Sequence, residues 1–351
     1  MLLRVVLNQA KELQMKKTGL QREFRGIWIL TLLVMLFALA GTSAAQEKQA
    51  TFAEGLSMRI TGNFQIQYNN YSRGDEDLKS GFSMRRARLG FRGEITPKIN
   101  YRLQFDFTRD DYLLDALVEL TYIPKARLSF GQFKIPFTLE NLTSSTGLDN
   151  INRSNTVQTL CPGLDIRSGG RDIGLTVDGQ FPFLEYQVGV FNGSGINTGD
   201  TNDRKDLVGR LVLHPFDFVH LGVSHYEGAY SPTVDDPWVN RDRTALELYL
   251  DGGRAFFKGE YIYAKDDQLR RSGWYIRGAY LFILEKLQGV VNYDSYDSDL
   301  DVTANRVKTM TLGLNFYLRR LTKLQVNYEH RKDDAAGTTQ NVILVQFQAL
   351  F

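Results

Sequence analysis

Residues 99–107 read INYRLQFDF, and in this stretch Ile99, Tyr101, Leu103, Phe105 and Phe107 alternate without a break against Asn100, Arg102, Gln104 and Asp106. A period of two places the apolar side chains on one face of a β-strand and the polar ones on the other. The pattern returns in residues 114–122, where Leu114, Ala116, Val118, Leu120 and Tyr122 oppose Asp115, Glu119 and Thr121. It returns in 184–190, with Glu185 and Gln187 on the polar side, and again in 308–318, 323–329 and 341–351. About sixteen such segments follow residue 56, an even number.

A soluble sandwich also alternates, so the connections decide between the two. Short links lie at 96–98, 124–125, 180–183, 214–217, 252–253, 285–286 and 319–322. The intervening links are longer and polar: 72–81, 138–171, 192–205, 227–242, 265–272, 294–304 and 331–340, with 109–111 the short exception. Short turns at one end and long loops at the other are the pattern of outer-membrane barrels. Lipid offers no hydrogen bonds to a free strand edge, so a spanning sheet must close on itself. The expectation is an all-β fold: a transmembrane antiparallel β-barrel of about sixteen strands, apolar face to acyl chains and polar face to water. A barrel of this size leaves an aqueous channel, whereas eight strands fill their own interior. The third link at the long-loop end, 138–171, is rich in Thr, Ser, Asn and Gly and carries Arg153, Arg167 and Arg171. A loop of that length is usually functional. Folded into the lumen, it would set the narrowest radius.

The start of the chain is a separate object. Lys16, Lys17, Arg22 and Arg25 precede an apolar run from Ile27 to Ala40, and Ser43-Ala44-Ala45 supplies small residues for cleavage. We expect a signal peptide over residues 1–45, with Met1 and Met15 both open as the start. A retained anchor is the alternative, though the run is short of the roughly 20 residues a span needs. Residues 46–56 would be a short periplasmic segment and 57–351 the barrel. Removing 1–45 takes six of 42 Lys/Arg and two of 40 Asp/Glu, so the remainder carries about −2. Nothing in that balance favours a nucleic-acid partner. At the other end Ile343, Val345, Phe347, Ala349 and the terminal Phe351 share one face. That ending resembles the signal read by the barrel-insertion machinery of the outer membrane.

Few residues are offered for catalysis or metal binding. Cys161 is the single cysteine, there is no CxxC, and four histidines are scattered at 214, 220, 225 and 330. None lies where alternation forces a Ser/His pair, so neither an enzyme, a metal site nor a cofactor is expected. Charge on the inner face is a different matter. With Ala87, Leu89 and Phe91 toward lipid, Arg86, Arg88 and Arg92 share one wall. By the same parity Arg102, Arg127, Arg210, Arg277 and Lys258 point inward, as do Asp106, Asp115, Glu119, Glu185 and Glu260. The arginines either guide anions or pair with these acids to stiffen the wall. Arg85 and Arg86 can both face inward only across a bulge. Aromatics near strand ends, including Tyr68, Tyr122, Trp274, Tyr293 and Tyr328, suit interfacial girdles.

Three stretches, residues 84–95 (MRRARLGFRGEI), 130–140 (FGQFKIPFTLE) and 170–174 (GRDIG), resemble the phosphate-selective porin O and P family. The resemblance runs over the whole chain from about Leu56, with its specific motifs confined to 84–174. It implies an outer-membrane barrel, usually a trimer set in phospholipid and lipopolysaccharide, that passes small anionic or polar solutes. The positions matching the family's selectivity residues are Arg85, Arg86, Lys134, Arg153 with Ser154, and Arg171. A general diffusion pore and a plugged anchor or receptor are the alternatives. Asp235, Asp236 and Asp242, with Asp294, Asp297, Asp299 and Asp301, would make an acidic outer rim that repels anions.

Overall fold

The computed structural model describes residues 49–53, 56–71, 79–231 and 235–351. The expected signal peptide, 1–45, lies outside the described residues. The strands, in chain order, are β1 (Gln49–Ala53), β2 (Leu56–Tyr71), β3 (Gly81–Thr96), β4 (Ile99–Asp106), β5 (Leu113–Ile123) and β6 (Ala126–Lys134). Two short helices follow, α1 (Leu139–Leu142) and α2 (Asn155–Leu160). Then come β7 (Arg171–Phe181), β8 (Leu184–Phe191), β9 (Asp206–Phe216), β10 (Val219–Tyr230), β11 (Val239–Asp251) and β12 (Ala255–Asp266). The last are β13 (Leu269–Ile283), β14 (Leu287–Asp297), β15 (Arg306–Arg319), β16 (Thr322–Asp333) and β17 (Thr338–Leu350).

From β2 to β17 each strand pairs antiparallel with the next, and β17 returns to β2 from Val342↔Tyr71 to Leu350↔Asn63. Sixteen strands therefore close into a barrel, and β1 adds a short pairing to the start of β2, Gln49↔Arg59 to Ala53↔Leu56. The seam ends on the terminal residue: Gly62 N donates to Phe351 O at 2.8 Å and Phe351 N donates to Gly62 O at 3.0 Å. The Phe351 ring lies over Gly62 so closely that a Cβ there would fall 2.1 Å from it, which is why this position has no side chain.

Outward positions of the dyad are exposed and apolar, among them Leu103, Val118, Leu246, Ile276, Leu312 and Ile343, as a lipid-facing wall requires. Two links expected to be long are short. Pairing of Asp266 with Leu269 and of Asp333 with Thr338 leaves only 267–268 and 334–337 between the strands. Above the lipid both faces of a hairpin are wet, so the strand continues after its alternation has vanished from the sequence.

The inner face also departs from the expected wet lining. The segment 135–170 lies inside the barrel, and its Phe137, Val157, Leu160 and Leu164 pack with Phe191, Val208, Ala245, Ile262, Ala264 and Tyr275 of the wall. Several inward positions of β8 to β13 under this segment are apolar, so part of the lumen holds a packed core beside the charged contacts to the loop.

Candidate functional site: a basic passage beside an inward-folded loop

The loop is seated by its own caps and by partners distant in the chain. Thr138 Oγ1 accepts from Asn141 N at the start of α1, and Ser154 Oγ accepts from Val157 N at the start of α2. Glu140, 2% exposed, joins the two: one carboxylate oxygen accepts from Arg277 at 2.6 Å, the other from Ser154 N and Oγ at 2.9 Å each. Its backbone N donates to Glu260 at 2.6 Å. Farther along, Asp165 takes both Arg241 and Arg243 at 3.2 Å.

At the tip, a lysine and several amides of the far wall hold the backbone. Leu148 O accepts from Lys323 at 2.6 Å, Asp149 O from Asn315 at 2.7 Å and Gln325 at 3.1 Å, and Thr146 O from Gln348 at 2.9 Å. Asn327 accepts from Ile151 N at 2.7 Å. The loop thus leans on β8 to β17 and leaves its freer side toward β3 to β7.

That free side is basic. The β2–β3 register slips between Gln65 and Ile66, which supplies the bulge that Arg85 and Arg86 need. Arg85 donates to Gln67 at 2.5 Å and Arg86 to Gln65 at 2.6 Å. Arg88 pairs with Asp106 at 2.8 Å and reaches the loop at Ser145 Oγ, also 2.8 Å. Arg171 pairs with Asp115 at 2.7 Å. Lys134 donates to the carbonyls of Asn141, Leu142 and Thr143, and Arg153 to those of Glu140 and Thr143, so both cations close the C-terminal end of α1. Burial pulls the Arg153 guanidinium below its ordinary pKa, with Glu140 opposing; it stays charged all the same. Among the described residues, Arg85, Arg86, Lys134 and Arg153 have no carboxylate in ion-pair contact, while Arg88 and Arg171 each have one.

Two chambers lie along this basic side, one toward each end of the barrel. The inner one, about 450 Å³, is lined by Arg88, Arg92, Arg102, Arg127, Lys134 and Arg171, with Asp115, Glu119 and Asp178 among them. The outer one, about 340 Å³, has Arg85, Arg153, Ser154 and Arg331 with Asp294 and Glu329. In the inner chamber Arg92 stands directly opposite Arg102 across β3 and β4, and Arg102 lies 3.5 Å from Asp115. Such neighbouring charges of one sign repel, which raises the local attraction for anions.

All nine residues expected to shape passage border the interior. Arg85, Arg153 and Ser154 line the outer chamber and Arg88, Arg92, Arg102, Lys134 and Arg171 the inner one, with Arg86 on Gln65 between them. The Ser154 hydroxyl is already committed to Glu140 and Val157. Arg331 was missed because 331–340 reads as a loop; carrying the parity of Lys323, Gln325, Asn327 and Glu329 two residues on finds it. The acidic rim is partly neutralised: Asp297 pairs with Arg306, Asp301 with Arg270, and Asp294 is buried. Cys161, within the loop at the end of α2, is buried with its thiol pKa pushed well up by burial, which suits packing and not reactivity. The described residues include no cluster of three metal-ligating side chains.

No curated protein sequence matches this chain. Solved structures with the same fold include an anion-selective porin from Comamonas acidovorans, 16% identical, covering 84% of this chain and all of that one at a TM-score of 0.67. OmpF of Salmonella typhi, crystallised with daunomycin, is 11% identical over 86% of this chain and all of its own, at 0.61. OmpT of Vibrio cholerae is 10% identical over 86% of this chain and all of its own, at 0.59. The family model for phosphate-selective porin O and P matches residues 58–242. Because that match spans more than half of the sequence, the chain belongs to the phosphate-selective porin O and P family, and is a channel of the Gram-negative outer membrane rather than an enzyme.

Proposed function

We propose that the mature chain forms a passive, water-filled channel for small anions such as phosphate. The observation that carries this reading is the group of four cations, Arg85, Arg86, Lys134 and Arg153, that meet carbonyls and amides but no carboxylate along the loop's free side. A neutralised arginine would offer little to an anion, whereas these keep their charge available in a confined, poorly screened space. Arg88, Arg92, Arg102 and Arg171 extend the basic lining on the inner side, with Ser154 setting the shape of α2. The family name and the anion selectivity stated for the Comamonas porin point the same way.

We further propose a homotrimer, since a trimer form is recorded for the Vibrio OmpT porin, and delivery by a signal peptide at 1–45 with Phe351 read at insertion. A plugged barrel is the second reading, favoured by the number of wall strands the loop tip engages.

The test is single-channel recording of the refolded mature chain in planar bilayers under a salt gradient. Anion-selective steps, blocked by added phosphate, are expected. Arg86→Ala with Arg88→Ala should move the reversal potential toward the non-selective value without preventing assembly. Steps without ion preference would make this a general diffusion pore, and silence from a folded barrel would leave the plugged reading.

A further inference from the structure

The outer chamber is built unlike the inner one. Phe91, Leu103, Leu117 and Phe133 contribute to the inner chamber, whereas every residue around the outer one is polar. Three guanidiniums, of Arg85, Arg153 and Arg331, share this space with the carboxylates of Asp294 and Glu329. The rest of the lining is amide and hydroxyl.

The helix α2 divides its duties by face. Thr156, Val157 and Leu160 are buried against the wall, while Asn155 and Gln158, three residues apart and hence neighbours on one face, border the chamber. Thr309 of β15 and Arg331 of β16 border it too. Among the described residues the side chains of Asn155, Gln158, Thr309 and Arg331 make no hydrogen bond or ion pair, so their capacity is open to a solute. The loop and wall elsewhere use their amides on each other, as Asn315, Gln325 and Gln348 do.

A bare oxyanion suits this chamber poorly. A cavity above 300 Å³ holds a multi-atom organic ligand, and two carboxylates repel a small anion that has nothing else to offer. Carboxylate and amide oxygens are, however, the acceptors that hydroxyl groups require. The complement of the whole lining is one anionic group for the guanidiniums joined to several hydroxyls for the remainder. We infer that the outer chamber is a recognition site for polyhydroxylated anions, sugar phosphates or sugar acids, held before they pass the inward-folded loop. This deepens the anion-channel reading and rests on it.

The experiment measures block of the chloride current by solutes added on the side of the long loops. Glucose 6-phosphate is compared with inorganic phosphate, gluconate with acetate, and glucose serves as the uncharged control. Each polyol anion should half-block at a concentration about tenfold below its bare counterpart, the factor that one or two added hydrogen bonds supply, and glucose should not block. Asn155→Ala, Gln158→Ala and Thr309→Val together should raise the two polyol-anion values about tenfold, to those of phosphate and acetate. A response to glucose 6-phosphate alone identifies sugar phosphates as the ligand, and to gluconate alone sugar acids. Equal block by polyol and bare anions would overturn the recognition site and leave the anion channel standing. Tight block unaltered in the triple variant would place recognition elsewhere and overturn it too. Loss of all anion preference in the unaltered protein would instead remove the channel reading beneath it.

Discussion

Two parts of the barrel interior arise from the same alternation and become opposite environments. Along β8 to β17 the inward positions include Val208, Ala245, Ile262 and Ala264, then Asn315, Gln325, Asn327 and Gln348, with Arg243, Glu260, Arg277 and Lys323 among them, and all of these are buried. Along β3 to β6 they are Arg88, Arg92, Arg102 and Arg127, which border open space. The first part grips the loop through packing, side-chain-to-backbone bonds and buried ion pairs such as Arg277 with Glu140 and Arg243 with Asp165; the second leaves its charges facing water. A period of two says only which face is which. Whether the inner face is a seat or a conduit depends on whether the loop's atoms can satisfy it, and the seating wall is the one whose donors, Gln348, Lys323 and Asn315, match free carbonyls at 146, 148 and 149.

If the seat is part of the fold, damage to it should appear as lost stability. The largest effect is expected for Glu140→Ala, which takes from Arg277, 1% exposed, its 2.6 Å partner and leaves Asp149 only at 3.9 Å. Stranding a buried charge costs about 3–5 kcal/mol. A urea titration of the refolded barrel, followed by tryptophan fluorescence, reads this as a lower midpoint. An unmoved midpoint would mean that the loop is an accessory and the comparison of seat with conduit is empty.

A milder change sharpens the same point. Ile262 is fully buried between β12 and the loop, so Ile262→Val should lower stability by about 0.5–1.5 kcal/mol if that side of the lumen is packed like a soluble core. In a water-filled lumen the same substitution would do nearly nothing.

How much of this was legible follows from the range of each interaction. The lipid face, the strand count and the inward direction of Arg88, Arg102 and Asp106 need only local alternation, and they stand as read. The pair Arg85 and Arg86 states its own conflict: two adjacent inward arginines demand a bulge, and the slip at Gln65 provides it. The apolar seat was not legible, because Val208 and Ile262 look inward over a loop some 50 to 100 residues earlier in the chain. Glu140 was missed as an anchor for the same reason, since its partner Arg277 lies 137 residues away and nothing local marks either as half of a pair. Hairpin ends failed differently: above the membrane no face is dry, so the signal that finds strands is gone while the hydrogen bonds continue.

The smallest effect on stability should come from the conduit side, and it is the most diagnostic. Arg127 pairs with Asp178 at 2.8 Å and lies 3.6 Å from Glu119, yet its side chain is 45% exposed in the inner chamber. Exposed pairs of this kind contribute roughly 0–1 kcal/mol, so Arg127→Ala should scarcely move the urea midpoint. Permeation should respond nonetheless, because the substitution leaves Asp178 and Glu119 unopposed and turns that stretch of wall acidic. The anion-to-cation permeability ratio should fall. The fall should be larger at 0.1 M salt, where charges act over about 10 Å, than at 1 M, where they act over about 3 Å. A loss of stability without that salt-dependent change in selectivity would show that the charged wall is also held together by its pairs, and would erase the distinction between the two parts of the interior.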